Sequence, residues 1–138
     1  MTMHYLGYGR TANRDFMAEL CPDAKPLGGH YLPNHRLIFR GHADIRFDRD
    51  FVLPVVAWKI TNECLSALDE LADYPMVYDR RKINDDWWIY DMNGNKDELA
   101  APSNQDYNRI MEAYEDFGLR DYHLRVALRD AGFDLKAI

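Results

Sequence analysis

The sequence predicts a mixed, barrel-like α+β domain. Alternating or doubly apolar patterning, the mark of strands, fills much of the stretch from Leu27 to Ile60. Helical spacing is confined to separate blocks, and these are inserted between strands or follow them. The 138 residues are 47% apolar and 13% aromatic, which suits one packed domain spanning 1-138 that buries about two-thirds of its unfolded surface.

Residues 3-8 read as a short apolar strand closed by Gly9, a natural place for a tight turn. Asn13 caps a short helix carrying Phe16, Met17 and Leu20, which Pro22 ends. From Leu27 to Phe47 the alternation of Tyr31, Leu37, Phe39, Ile45 and Phe47 gives strands, with turns expected at Pro33-Asn34 and Gly41-His42. Val52 to Ile60 is apolar on both faces and should be a central strand, with Pro54 near its start or at a bulge. Thr61 or Asn62 caps a helix whose apolar positions are Leu65, Leu68, Leu71 and Ala72. Strands follow through Met76 to Ile83 and Asp86 to Met92, and Asn93-Gly94-Asn95 makes a turn. Pro102 and Ser103 open the longest helix, with Asp106 at capping-box spacing and a stripe of Tyr107, Ile110, Met111, Tyr114 and Phe117. Gly118 stops it, and Tyr122 to Asp130 forms a last amphipathic helix.

Several ordered motifs resemble one known family. In SALDELADYPMVYDRR, Ser66 to Arg81, the residues Leu68, Asp69, Pro75, Tyr78 and Arg80 match the pattern Leu-Asp-x-x-Glu-Gly followed by Pro-x-x-Tyr-x-Arg. In YLGYGRTANRDFM, Tyr5, Tyr8, Gly9 and Met17 match an opening strand and loop that usually reads Tyr-Phe-x-Tyr-Gly-Ser-Asn-Leu. Cys21, Pro22, Ala24, Leu32, Leu37 and Phe39 fit the run after it. The chain thus resembles gamma-glutamylcyclotransferase-like proteins over most of its length. That resemblance implies their α+β fold, with the loop after the first strand facing the end of the motif helix across a cavity. In the family, loop N–H groups hold the substrate, and a glutamate shuttles a proton as the α-amine attacks the γ-carbonyl and 5-oxoproline leaves.

Here the resemblance breaks at the reactive group. The position of the family's glutamate falls on Ala72 and that of the following glycine on Asp73, while Arg10, Thr11 and Ala12 replace serine, asparagine and leucine. A proton-transfer group contributes ~10²–10⁴ in rate, and alanine offers none. Asp73 and Glu70 are weak candidates for a relocated acid, since one or two steps around a helix turn a side chain by ~100° or ~200°. Two readings of Arg10 stand side by side: an exposed loop arginine, or a guanidinium favouring a phosphate or carboxylate at the cavity. The expected ligand-binding set is Tyr8, Gly9, Arg10, Thr11, Ala72 and Tyr78, with Tyr5, Trp88 and Tyr90 more simply core or rim.

Other chemistry lacks a pattern. His4, His30, His35, His42 and His123 show neither metal-ligand spacing nor an acid partner, so no metal is expected and no cofactor is implied. Cys21 and Cys64 stand apart, without a CxxC, and read as core thiols. A net charge of -6 weighs against nucleic-acid binding. No apolar run approaches the ~20 residues of a membrane span, and no secretory signal is visible, so a cytoplasmic protein without membrane attachment is expected. The expectation is a binder of a small anionic metabolite or nucleotide-type ligand, sensing or sequestering it. A divergent cyclotransferase with a relocated acid and a protein-interaction scaffold are the alternatives.

Overall fold

In a computed structural model that describes residues 3–135, the dominant feature is a long antiparallel hairpin of β2 (Lys25–Phe39) and β3 (Ala43–Ile60). Gly41, at φ +84°, makes the reversal expected at Gly41-His42. The turn expected at Pro33-Asn34 is instead a bulge inside one continuous strand: Asn34 takes φ +64° and the register shifts between Pro33 and His35. The cause is position. β2 is an edge strand, where a proline without an N–H interrupts no second ladder and asparagine tolerates the left-handed turn. The central strand expected from Val52 begins nine residues earlier, at Ala43, because Asp44 to Phe47 already pair with β2.

The last residues of β3 pair antiparallel with β1 (Met3–Gly7), from Gly7 opposite Val56 to Met3 opposite Ile60. β1 runs parallel to β5 (Trp87–Met92), which pairs antiparallel with β4 (Tyr78–Asn84), giving the order β2-β3-β1-β5-β4. The expected mixed sheet with flanking helices is present, and it is not a closed barrel: no backbone ladder joins β2 to β4. It rolls far enough for side chains to meet across the gap. Arg81 of β4 lies 2.9 Å from the His35 ring of β2, and the Met92 N–H donates to Asp44 of β3 at 2.8 Å.

Helices cover the rolled sheet, and their starts follow local chemistry. α1 (Arg14–Leu20) is capped by Asn13, whose side chain accepts from the Phe16 N–H. Thr61 does the same for α2 (Asn62–Leu71), and Ser103 for α3 (Asn104–Asp116). Gly118, at φ +66°, follows α3 before α4 (Tyr122–Asp130). The core they close contains Met17, Phe39, Trp58, Leu68, Ile110 and Leu124, all essentially inaccessible. Of the stripe expected on α3, Ile110 and Tyr114 are buried with Ala113, while Tyr107, Met111 and Phe117 pack at its margin.

Cys21 and Cys64 are buried but are not separate thiols. They form a disulfide between the end of α1 and the first turn of α2, with Cα atoms 5.1 Å apart. A separation of 43 residues hides such a pairing from any local pattern. No helix among the described residues is long and apolar enough to cross a membrane.

Candidate functional site

The end of β1, the 3-10 turn Arg10–Ala12 and the end of α2 enclose a cavity of about 70 Å³. The sharp entry into the turn depends on Gly9, since a Cβ there would lie 2.8 Å from the Ala43 side chain. Within the turn, Ala12 N–H bonds back to Gly9 C=O, while the first N–H groups of such a turn have no partner inside it. Tyr8, Gly9, Arg10, Thr11, Ala72 and Tyr78 all line the cavity. Asp73 and Glu70 do not line it.

Four tyrosines line the cavity, and each hydroxyl is already committed to the protein. Tyr5 bonds the Thr11 hydroxyl at 2.7 Å. Tyr8 donates to the Tyr90 carbonyl at 2.6 Å, Tyr78 to the Ala43 carbonyl at 2.7 Å, and Tyr90 to the Asp69 carboxylate. Burial pushes the Tyr5 phenol up to about 12 and raises those of Tyr8, Tyr78 and Tyr90 as well. These groups hold the wall and stay protonated at neutral pH. Trp88, grouped with them from sequence, lies elsewhere, where the Arg80 guanidinium and the Lys82 ammonium approach its ring at 5.6 and 5.3 Å.

Arg10 brings the positive charge. Its guanidinium rests 5.5 Å from the Phe16 ring centroid, and it forms no ion pair among the described residues. The same charge pulls down on the phenols of Tyr5 and Tyr78, against the larger effect of burial, so it acts within the cavity.

Ala72 and Asp73 finish α2 with a hydrogen-bonded reversal. The Tyr74 N–H reaches the Asp69 carbonyl at 2.9 Å and the Asp73 N–H the Glu70 carbonyl at 3.2 Å, with Asp73 at φ +49°. That left-handed position is where a glycine is favoured, so the resemblance's Gly falls where the backbone calls for one. Asp69 is held from outside the cavity by Arg80, 3.4 Å away, whose guanidinium covers the Tyr74 ring at 4.3 Å.

Sequence reasoning missed one pair. His42, from the turn between β2 and β3, and Asp106, from the first turn of α3, line the same cavity with Nδ1 and Oδ2 3.4 Å apart. Asp106 sits at capping-box spacing, but its carboxylate faces His42 and Arg109. Sixty-four residues separate the two partners, and only the fold joins them.

No family model matches the chain, and no curated protein matches it in sequence. Solved structures match it in fold. A gamma-glutamyl cyclotransferase is 19% identical, with 97% of this chain and 89% of that one covered at a TM-score of 0.73. The human uncharacterized protein loc79017 is 18% identical over 96% of this chain and 88% of its own, also at 0.73. YkqA from Bacillus subtilis is 18% identical at 0.75 over 94% of this chain, which spans only 54% of YkqA. By its likeness to these neighbours over nearly its whole length, the chain has the gamma-glutamylcyclotransferase-like fold.

Proposed function

We propose that the cavity binds a small anionic molecule, a metabolite or a nucleotide-type ligand, and does not release 5-oxoproline by the chemistry of the cyclotransferases it resembles. The observation that carries this reading is an arginine on the cavity wall without a carboxylate partner among the described residues, together with Ala72 where the resembled motif has its glutamate. An unpaired guanidinium favours a carboxylate or phosphate, and binding there is strengthened by charge-assisted hydrogen bonds. Protein purified from its source host and sprayed under native conditions retains the ligand, which mass identifies. Arg10→Ala then weakens its binding by ~1.5–3 kcal/mol, the range for a hydrogen bond to a charged group. Melting stays nearly unchanged, because Arg10 anchors no ion pair among the described residues. A sharp fall in melting with binding intact makes Arg10 a structural residue. In parallel, gamma-glutamyl dipeptides yield no 5-oxoproline above background; turnover lost in Asp73→Asn but not in Glu70→Gln would make Asp73 the base.

One observation favours a second reading, a divergent enzyme with a relocated acid. The His42–Asp106 pair lines the same cavity from another wall.

A further inference from the structure

We infer that His42, held by Asp106, is a proton-transfer group for acyl hydrolysis of a carboxylate-bearing substrate in the cavity. This rests on the anion site proposed for Arg10 and adds a reaction to it. The polar wall, taken group by group, leaves one candidate. The hydroxyls of Tyr8, Tyr78 and Tyr90 are donated to protein acceptors, and those of Tyr5 and Thr11 bond each other. Arginine does not give up its proton. Asp106 has one oxygen 3.4 Å from Arg109 and the other 3.4 Å from His42, and its side chain is only 10% exposed. Imidazole is the side-chain type that accepts and returns protons near neutrality.

The direction of the pair matters. His42 presents Nδ1 to the Asp106 carboxylate, a neighbour that favours the tautomer with its proton on Nδ1, and in that tautomer Nε2 is the proton acceptor. A carboxylate behind an imidazole also stabilises the imidazolium that forms when Nε2 takes a proton. At 3.4 Å the contact is loose, a common state for catalytic contacts before substrate binds. His42 itself is 57% exposed on its side chain, so it stands at the mouth, where water is at hand.

The step uses water as co-reactant and balances without redox change. An O–H bond of water breaks as its proton passes to Nε2, and the water oxygen bonds the acyl carbon. The bond from that carbon to the leaving oxygen or nitrogen then breaks, and the proton on Nε2 goes to the leaving group. The products are a carboxylic acid and an alcohol or amine.

Two chromogenic probes test this: the 4-nitrophenyl hemiester of adipic acid, which is anionic and too long to expel nitrophenolate readily through its own carboxylate, and neutral 4-nitrophenyl acetate. The intact protein hydrolyses the hemiester with saturation and prefers it to the acetate. His42→Ala lowers kcat at least ~10²-fold with KM within about twofold, and added imidazole restores part of the rate. Asp106→Asn, a change in a positioning residue, lowers kcat about tenfold and leaves KM alone. Arg10→Ala raises KM and leaves kcat. Hydrolysis of the hemiester no faster than by an equal concentration of free imidazole overturns the inference, as does full activity in His42→Ala. An unchanged KM in Arg10→Ala with activity lost in His42→Ala overturns the anion site alone.

Discussion

Ala72 and Asp73 are adjacent departures from one motif, yet their physical meanings differ. Position 73 is a backbone matter. Its φ of +49° is strained for most L-residues by ~1–2 kcal/mol, less for aspartate, and not at all for glycine. Asp73→Gly is therefore expected to raise stability by up to ~1 kcal/mol, read as a higher denaturant midpoint with an unchanged slope. A loss of stability would show that the aspartate side chain supports the helix end. Position 72 is a chemical matter, because it lines the cavity opposite the Arg10 turn. Ala72→Glu adds a carboxylate to a half-buried place, so it should cost stability, and the new group should titrate above ~4.3 unless Arg10 holds its charge. A bound anion meets like charge, and its affinity should fall about tenfold or more. Affinity and melting both unmoved would put position 72 outside the ligand's path.

At the scale of elements, helix starts were legible and helix neighbours were not. Asn13 illustrates both. Its carbonyl oxygen caps α1 through the Phe16 N–H at 2.9 Å, a local arrangement that sequence spacing announces. Its amide donates at 2.9 Å to the Arg109 carbonyl of α3, which no spacing could announce. Asn13→Ala loses both and should destabilise by ~1–3 kcal/mol, whereas Asn13→Asp keeps the cap and should cost less; equal losses would mean the bond to α3 carries the effect. The same division runs through the molecule. Thr61, Ser103 and Gly118 were readable because a cap or a stop is decided within a few residues. The Asn34 bulge was misread as a turn, since local chemistry is the same and only the edge position of β2 decides. The disulfide and the His42–Asp106 pair join distant segments, so they emerged only with the fold. The cavity itself was foreseeable by resemblance; its second polar wall was not.

Over the whole molecule, an incompletely closed sheet is rolled around phenols. Five of the nine tyrosines, Tyr5, Tyr8, Tyr78, Tyr90 and Tyr114, are raised, in each case chiefly by burial. Burial favours the neutral phenol, so below the unfolded value of ~10 both states carry the proton and pH has no leverage through these groups. Above it, the unfolded chain loses the protons first. It then binds fewer than the native state, and stability falls with each further rise in pH until the native phenols titrate, about 12 for Tyr5. Stability is accordingly expected to hold through neutral pH and to drop steeply above about pH 10, with tyrosinate absorbance and loss of far-ultraviolet circular dichroism rising together for the buried five. The cavity fails in the same transition, because four of those rings line it. Ligand added in excess should move the alkaline midpoint upward, since it binds only the folded wall. Tyrosinate signal for all nine while the dichroism stays native would show the cavity open to hydroxide, and the rolled sheet looser than its side-chain contacts across the gap describe.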